Sequence, residues 1–381
     1  MGYVAVKGGT QAIEESIKRM KYERLKHGTV LGIEKIEAGM RGLIDQVMSE
    51  SSLYSPILTA IAIKQAEGNP EEAVFQLRAY RSTLPRKHYT RIADPEEMVI
   101  ERRISASFKD IPGGQVLGAT TDYTHRLLDF GLVSETDEDA RRWLHDYQLE
   151  SLQISESNHT GRFPKVLDYL RKQGLMAECS PDDRVPDDVT KKSLEFPSTR
   201  SQRMQILTRG QTGAVTSLAY AVIRGYGALH PTVGELRIGS QPLYIDNPVD
   251  EWKEDEDSYY IGEIKVTEAE MLIPVPIQKG NGKEEIEFEI GYGICFGQNE
   301  TKAIAMGILD HSLEKGNAEF PTQDEEFVLY HIDSVESTGF ISHLKMPHYV
   351  TFQSKLDSVR KTKKQEELTN REETGTNAIK I

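Results

Sequence analysis

The hydrophobic pattern changes period part-way along this chain, and that change limits its fold more than any other feature. Apolar residues recur at helical spacing through the first hundred positions. Ile13, Ile17 and Met20 follow a Thr10 suited to an N-cap. Similar stripes run over 32–48, 53–67 and 70–80, the last with Pro70 in a first turn. Beyond position 198 come helical stretches at 201–209 and 214–220, and then strand-like runs accumulate at 243–245, 259–266, 285–290 and 327–331. One helix, over 299–313, lies among them. Helices gathered first and strands gathered later predict an α+β fold, with a helical N-terminal portion and a mixed α/β C-terminal portion.

Between these regions the pattern is weaker. Arg102–Ser105 leads into the turn-rich Ile111-Pro112-Gly113-Gly114-Gln115, and helices are expected over 140–152 and 165–173. An acidic Pro/Asp connector at 180–188 marks the main boundary. The expected division is 1–180, mostly helical; 189–354, mixed, with a glycine-rich loop and a histidine pair; and 355–381, a charged flexible tail. For 381 residues, two or three domains of about 150 residues is the ordinary expectation.

Composition then excludes several classes of function. Lys and Arg number 46 against 60 Asp and Glu, a net charge of −14, the wrong sign for gripping a nucleic-acid backbone. No run of 18 apolar residues exists, so no membrane span is expected. Lys7 and two glycines interrupt the first residues before a signal's apolar region could form. Cys179 and Cys295 are too few for a disulfide framework or an iron–sulfur site. A cytoplasmic chain without nucleic-acid or membrane partners is expected.

Four groups of residues could carry chemistry. Lys7-Gly8-Gly9-Thr10 joins a strand to a helix N-terminus, whose free N–H groups suit a phosphate; the same residues also make an ordinary tight turn into a capped helix. In the stretch Arg224–Arg237, Gly225 and Gly227 let the backbone approach a ligand, and Arg224 and Arg237 supply guanidinium forks. His230 and Glu235 could work there as acid and base, although a plain loop with its charges in water reads equally well. His343 and His348 have zinc-like spacing, but two ligands are too few without His331 or a partner chain. Asp122 is expected to cap a helix carrying His125 and Arg126.

Several stretches taken together resemble a known family. Tyr3–Gly9, Leu77–Arg81, Glu101–Gly114, Asp122–Phe130, Arg224–Arg237, Gly291–Gly297, Gln323–Leu329 and Gly339–Tyr349 follow, in order, the I subunit of the bacterial carbon–phosphorus lyase core complex, the PhnI family. Each motif is weak alone, and the ordered set is specific; 131–198 and the segment after Lys355 match poorly.

The resemblance implies a subunit used in phosphonate catabolism. With sister subunits G, H and L, family members displace adenine from MgATP by methylphosphonate, giving α-D-ribose 1-methylphosphonate 5-triphosphate. Alone, the family resembles a nucleosidase that frees the base of ATP or GTP. It also implies a homodimer, contacts with J and with K as a further partner, and zinc or a similar divalent metal at His343 and His348. On residue chemistry, Glu235 and His230 are the catalytic candidates. Arg224, Gly225, Gly227, Arg237 and Lys7 are candidates for holding the triphosphate. The alternative is a dimeric scaffold that organises partners and a shared metal site without catalysis of its own.

Overall fold

A computed structural model describes residues 9–154, 163–176, 184–225, 230–248, 258–278, 284–317 and 319–377. Thirteen α-helices and one four-stranded antiparallel sheet among them make a mixed α+β protein, as the change of period predicts. Two units divide the chain: Gly32–Asp333, and Met1–Leu31 with Ser334–Ile381. Helix α1 (Gly9–Leu25) belongs to the second of these.

The larger unit begins with α2 (Ile33–Gly39), α3 (Arg41–Ser51), α4 (Pro56–Gln65) and α5 (Pro70–Ser82). The stripe expected as one helix over 32–48 breaks at Met40, which closes α2 and opens α3 with φ −118°. Side chains start the next two: Ser55 accepts from the Leu58 N–H and Asn69 from that of Glu72, each with proline in the first turn. Ile36, Ile44, Val47, Met48, Ala60, Ile63, Val74 and Leu77 are buried by these helices.

Next come α6 (Asp137–Ile154), α7 (Val166–Lys172), α8 (Arg200–Arg209), α9 (Thr212–Gly225), α10 (Glu300–Lys315) and α11 (Glu325–His331). Arg78 of α5 ties several of these ends together. Its guanidinium donates to the carbonyls of Glu50 at 2.8 Å and Arg209 at 2.9 Å, and to Asp333 Oδ2 at 2.6 Å. Carbonyls left open at the ends of α3 and α8 thus share one charged donor.

The sheet runs β1 (Val99–Ile104), β2 (Thr232–Asp246), β3 (Ser258–Gln278) and β4 (Glu284–Phe296), in that spatial order. One face is apolar: Leu236, Ala269, Met271 and Cys295 pack with Leu207, Val215, Ala303, Met306, Leu309 and Val328 from α8 to α11. Helix α10 lies so close to β4 that a Cβ on Gly291 would sit 1.9 Å from the Gly307 carbonyl oxygen. One on Gly293 would sit 2.0 Å from that of Ala303, so both positions require glycine. At one end of the opposite face, α7 packs Leu167 and Leu170 against Leu272.

Further expectations change. Residues 327–331, read as a strand, belong to α11, where Asp324 accepts the Phe327 N–H and Glu325 and Glu326 fill the first turn. Asp122 caps no helix; residues 121–124 form a turn, and Asp122 Oδ2 accepts from the buried Arg102 at 2.7 Å. The stretch 224–237, read as a loop, ends α9 and then enters β2 at Thr232.

The smaller unit holds α1, α12 (Ser334–His343) and α13 (Tyr349–Asn377). Within the charged stretch from 355, α13 continues to Asn377. Helix α1 buries none of its residues, and its Ile13, Ile17 and Met20 stripe is exposed. Among the described residues, no helix is long and apolar enough to cross a membrane.

Candidate functional site

Strand alternation builds the site. Side chains two apart on β2 and β3 share a face, so Glu235 and Arg237 stand with Glu268 and Glu270, opposite the apolar Leu236 and Ala269. Register completes two rows across the sheet. Glu235, Glu270 and Tyr292 are direct neighbours on β2, β3 and β4, while Arg103, Arg237 and Glu268 are neighbours on β1, β2 and β3. Lys165, just before α7, reaches down onto this face.

The layer is held by charged hydrogen bonds. Arg237 donates to Glu268 Oε2 through Nε at 2.9 Å and Nη2 at 2.5 Å. Lys165 Nζ donates to Glu268 Oε1 at 2.6 Å and to Glu270 Oε1 at 2.8 Å. The Tyr292 hydroxyl donates to Glu268 Oε1 at 2.8 Å. Glu235 accepts from Arg103 Nε at 2.5 Å and from the Val166 N–H at 3.0 Å. Arg103 in turn donates to the carbonyls of Pro112, Gly114 and Pro164, and lies 5.1 Å from the Phe163 ring centre. Gly113, at φ +85°, turns the chain around that guanidinium; a Cβ there would meet Phe163 at 2.5 Å.

Burial and charge set the protonation states. Burial pushes the Glu268 carboxyl up, but Arg237 and Lys165 outweigh it and hold the group below its ordinary value. Glu270 differs, because burial and the neighbouring Glu268 charge overcome Lys165 and push it up to about 7. Burial opposes charge on Lys165 and Arg237, yet the surrounding carboxylates raise both. Burial and Glu268 raise Tyr292 well above a normal phenol, keeping it a neutral donor. Two neighbouring carboxyls pushed apart in this way can divide the roles of fixed negative charge and titratable acid.

The sequence candidates distribute unevenly around this layer. Glu235 and Arg237 lie inside it, both 2% exposed. His230 is exposed just before β2, with Nδ1 3.0 Å from the Pro231 carbonyl oxygen. Arg224 is exposed near the end of α9, which Gly225 closes. Lys7 and Gly227 lie outside the described residues. Sequence reasoning missed Lys165, Glu268, Glu270 and Tyr292. The available signal was Glu268-Ala269-Glu270, two carboxylates two apart inside an apolar strand.

His343 and His348 do come together, with ring centres 5.5 Å apart in the smaller unit. Nδ1 of His343 faces the Phe340 carbonyl, and Nδ1 of His348 lies 2.5 Å from that of Met346. A proton on Nδ1 leaves the lone pair of each ring on Nε2, one of the two nitrogens through which histidine binds metals. The pair therefore fits two positions around a divalent ion such as zinc. Among the described residues, no group of three or more His, Cys, Asp or Glu gathers.

Comparison with known proteins extends the likeness along the chain. The family described as "Bacterial phosphonate metabolism protein (PhnI)" matches residues 2–366. The "Putative C-P lyase subunit protein HtxH" of Stutzerimonas stutzeri is 44% identical over 368 residues, covering 95% of this chain and 96% of that protein. Two proteins named "Alpha-D-ribose 1-methylphosphonate 5-triphosphate synthase subunit PhnI" are each 40% identical. The one from Rhizobium meliloti (strain 1021) aligns over 373 residues, 95% of either chain. The one from Escherichia coli (strain K12) aligns over 370 residues, 96% of this chain and 99% of that one.

Proposed function

This chain belongs to the PhnI family of bacterial phosphonate metabolism proteins, and from that premise we propose that it is the ribosyl-transferring subunit of an α-D-ribose 1-methylphosphonate 5-triphosphate synthase. In the proposed reaction the bond from C1′ to adenine breaks in MgATP, and an alkylphosphonate oxygen forms the new bond to C1′. Adenine leaves with a proton. Without sister subunits, water takes the phosphonate's place and ribose 5-triphosphate results, so the chain alone acts as a purine nucleosidase. Full-length likeness to two proteins named as synthase subunits carries this reading.

The ionic layer supplies what such a reaction asks of a protein. Positive charge grows on the sugar as the base leaves, and a nearby carboxylate stabilises it. Glu268, ionised between Arg237 and Lys165, is suited to that task. Glu235, with both oxygens engaged, adds charge and holds Arg103 in place. Because Arg237 is committed to Glu268, the triphosphate and its Mg²⁺ fall to Arg224, Gly225 and Gly227 in this proposal, and Lys7 stays a separate candidate for a phosphate. His230, just before β2, is the candidate acid that its residue chemistry names.

His343 and His348 are proposed to hold a zinc-like ion that a partner subunit completes. Such an ion would supply Lewis acidity or a fixed joint between chains. Assembly as a homodimer with G, H, J and L, and with K as a further partner, in the cytoplasm, belongs to the same proposal. A scaffold reading has one observation in its favour. Every residue from 121 to 150 is exposed, among them Leu127, Leu128, Phe130, Trp143 and Tyr147, an apolar surface suited to partner chains.

Chromatography of the purified chain with MgATP separates the readings. Free adenine with ribose 5-triphosphate is expected, changing to the 1-methylphosphonate ester when G, H, L and methylphosphonate are added. Silence of the chain alone beside full activity of the set favours the scaffold. Silence of both contradicts the proposed reaction.

A further inference from the structure

Resting on the ribosyl-transfer reading, we infer that Glu270 is the acid that protonates the departing purine, with the proton delivered from Oε2. The geometry begins with an imbalance in the layer. Glu235 and Glu268 have partners on both oxygens. Glu270 has one on Oε1, from Lys165, while its Oε2 is buried without a hydrogen-bond partner among the described residues. Glu270 as a whole is 7% exposed, so this oxygen cannot rely on bulk water. A bare carboxylate oxygen in that position is costly to desolvate, whereas a protonated one becomes a donor lacking an acceptor. A ring nitrogen of a purine supplies the acceptor that the described residues do not.

Every charged or titratable group facing Glu270 fits this assignment. Glu268 on β3 and Glu235 on β2 disfavour a further negative charge beside them. Lys165, ahead of α7, holds Oε1 and fixes which oxygen carries the proton. Arg237 is spent on Glu268, and Arg103 on Glu235. Tyr292, opposite Glu270 on β4, donates its hydroxyl hydrogen bond to Glu268. The resulting value near 7 matches what an acid needs at neutral pH. The layer is least closed toward β4, where Tyr292 and Ile294 are partly buried and the Lys165 side chain is 14% exposed.

In the step itself, the electron pair of the C1′–N9 bond goes to the purine, and the Glu270 proton goes to a purine ring nitrogen. The incoming oxygen closes C1′. Glu270 is left ionised toward Lys165 and regains its proton from water.

Leaving-group dependence provides the test, measured on the chain and on its assembly with G, H and L. A base that already carries its charge needs no acid, and 7-methylguanosine triphosphate has such a base. Glu270→Gln should slow base release from ATP by about 100-fold or more, within the range for general acid catalysis, while release from 7-methylguanosine triphosphate stays within about threefold. In the wild type, the ATP rate should fall as pH rises through about 7, a limb absent from Glu270→Gln. Lys165→Gln should move that limb to higher pH, because the cation it removes lowers the Glu270 value.

Equal losses on both nucleotides in Glu270→Gln would make the residue structural and overturn the assignment. So would selective loss of ATP cleavage in His230→Ala with Glu270→Gln unaffected. If the wild type releases neither base in either preparation, the ribosyl-transfer reading itself fails, and the acid fails with it.

Discussion

Glu235→Gln is the substitution whose consequence the structure defines most closely. The carboxylate is 1% exposed at its side chain and the Arg103 guanidinium 0%. The amide of Gln has nearly the same volume, so no cavity is made. Only one of its two terminal atoms accepts, where Glu235 accepts on both oxygens, from Arg103 and from the Val166 N–H. Either way a donor faces an NH₂ group, and Arg103 keeps three carbonyl partners but loses the carboxylate paired with it. Removing one partner of a buried ion pair costs about 3–5 kcal/mol, and the three retained carbonyls place the expected loss near the bottom, at about 3 kcal/mol. Arg103→Met should also destabilise, and the double variant should cost less than the two together by at least about 1 kcal/mol. Urea unfolding followed by far-ultraviolet circular dichroism measures all three. A loss under about 0.5 kcal/mol for Glu235→Gln, the size of an ordinary surface change, would refute the argument, as would strict additivity.

Other perturbations have equally definite outcomes. Gly293→Ala should destabilise by about 3 kcal/mol or more, since its Cβ would press on the Ala303 carbonyl; Gly42→Ala, with nothing within 4 Å, should stabilise by about 0.5–1 kcal/mol. Thermal unfolding compares them directly. Glu270 is raised in the folded state from 4.5 to about 7, so its contribution is full below about pH 4.5 and is lost as pH rises toward 7. Stability should therefore decline over that window more steeply in the wild type than in Glu270→Gln; Glu268, shifted the opposite way, acts below it. His343→Ala and His348→Ala should each lower zinc content, read by mass spectrometry of metals on the assembled protein, without altering helicity.

Much of the fold is legible in the sequence because it is decided locally. Asn69-Pro70 opens α5 by capping chemistry confined to one turn, and the helical stripes follow from spacing alone. Where two local signals conflict, the reading fails. Phe327-Val328-Leu329-Tyr330-His331 has strand-like side chains, but the Asp324 cap and the acidic first turn carry more weight. The strand read over 259–266 stops just short of Glu268, because carboxylates inside an apolar run argue against a buried strand. They are tolerated only through partners distant in the chain: Lys165 is 103 positions from Glu268, and Arg103 is 132 from Glu235. Glu235 and Arg237 were visible as part of a family-like stretch. Their neighbours across the sheet depend on register, which no single segment encodes. Glycine content in 224–237 suggested a loop, yet Gly234 sits in β2 beside a bulge, where a Cβ would press on Leu272 at 3.0 Å.

The claim that the glycosidic bond breaks at the ionic layer is met most directly by locating a ligand that imitates the sugar cation. A crystal structure of the chain, or of its assembly with G, H and L, with a cationic iminoribitol 5-triphosphate would do so. The expected result places the ring nitrogen of the ligand beside the Glu268 carboxylate, with Glu270 Oε2 facing the side from which the base departs. Full occupancy of the ligand elsewhere, with Lys165, Glu268 and Glu270 keeping their present partners and touching no ligand atom, would contradict it.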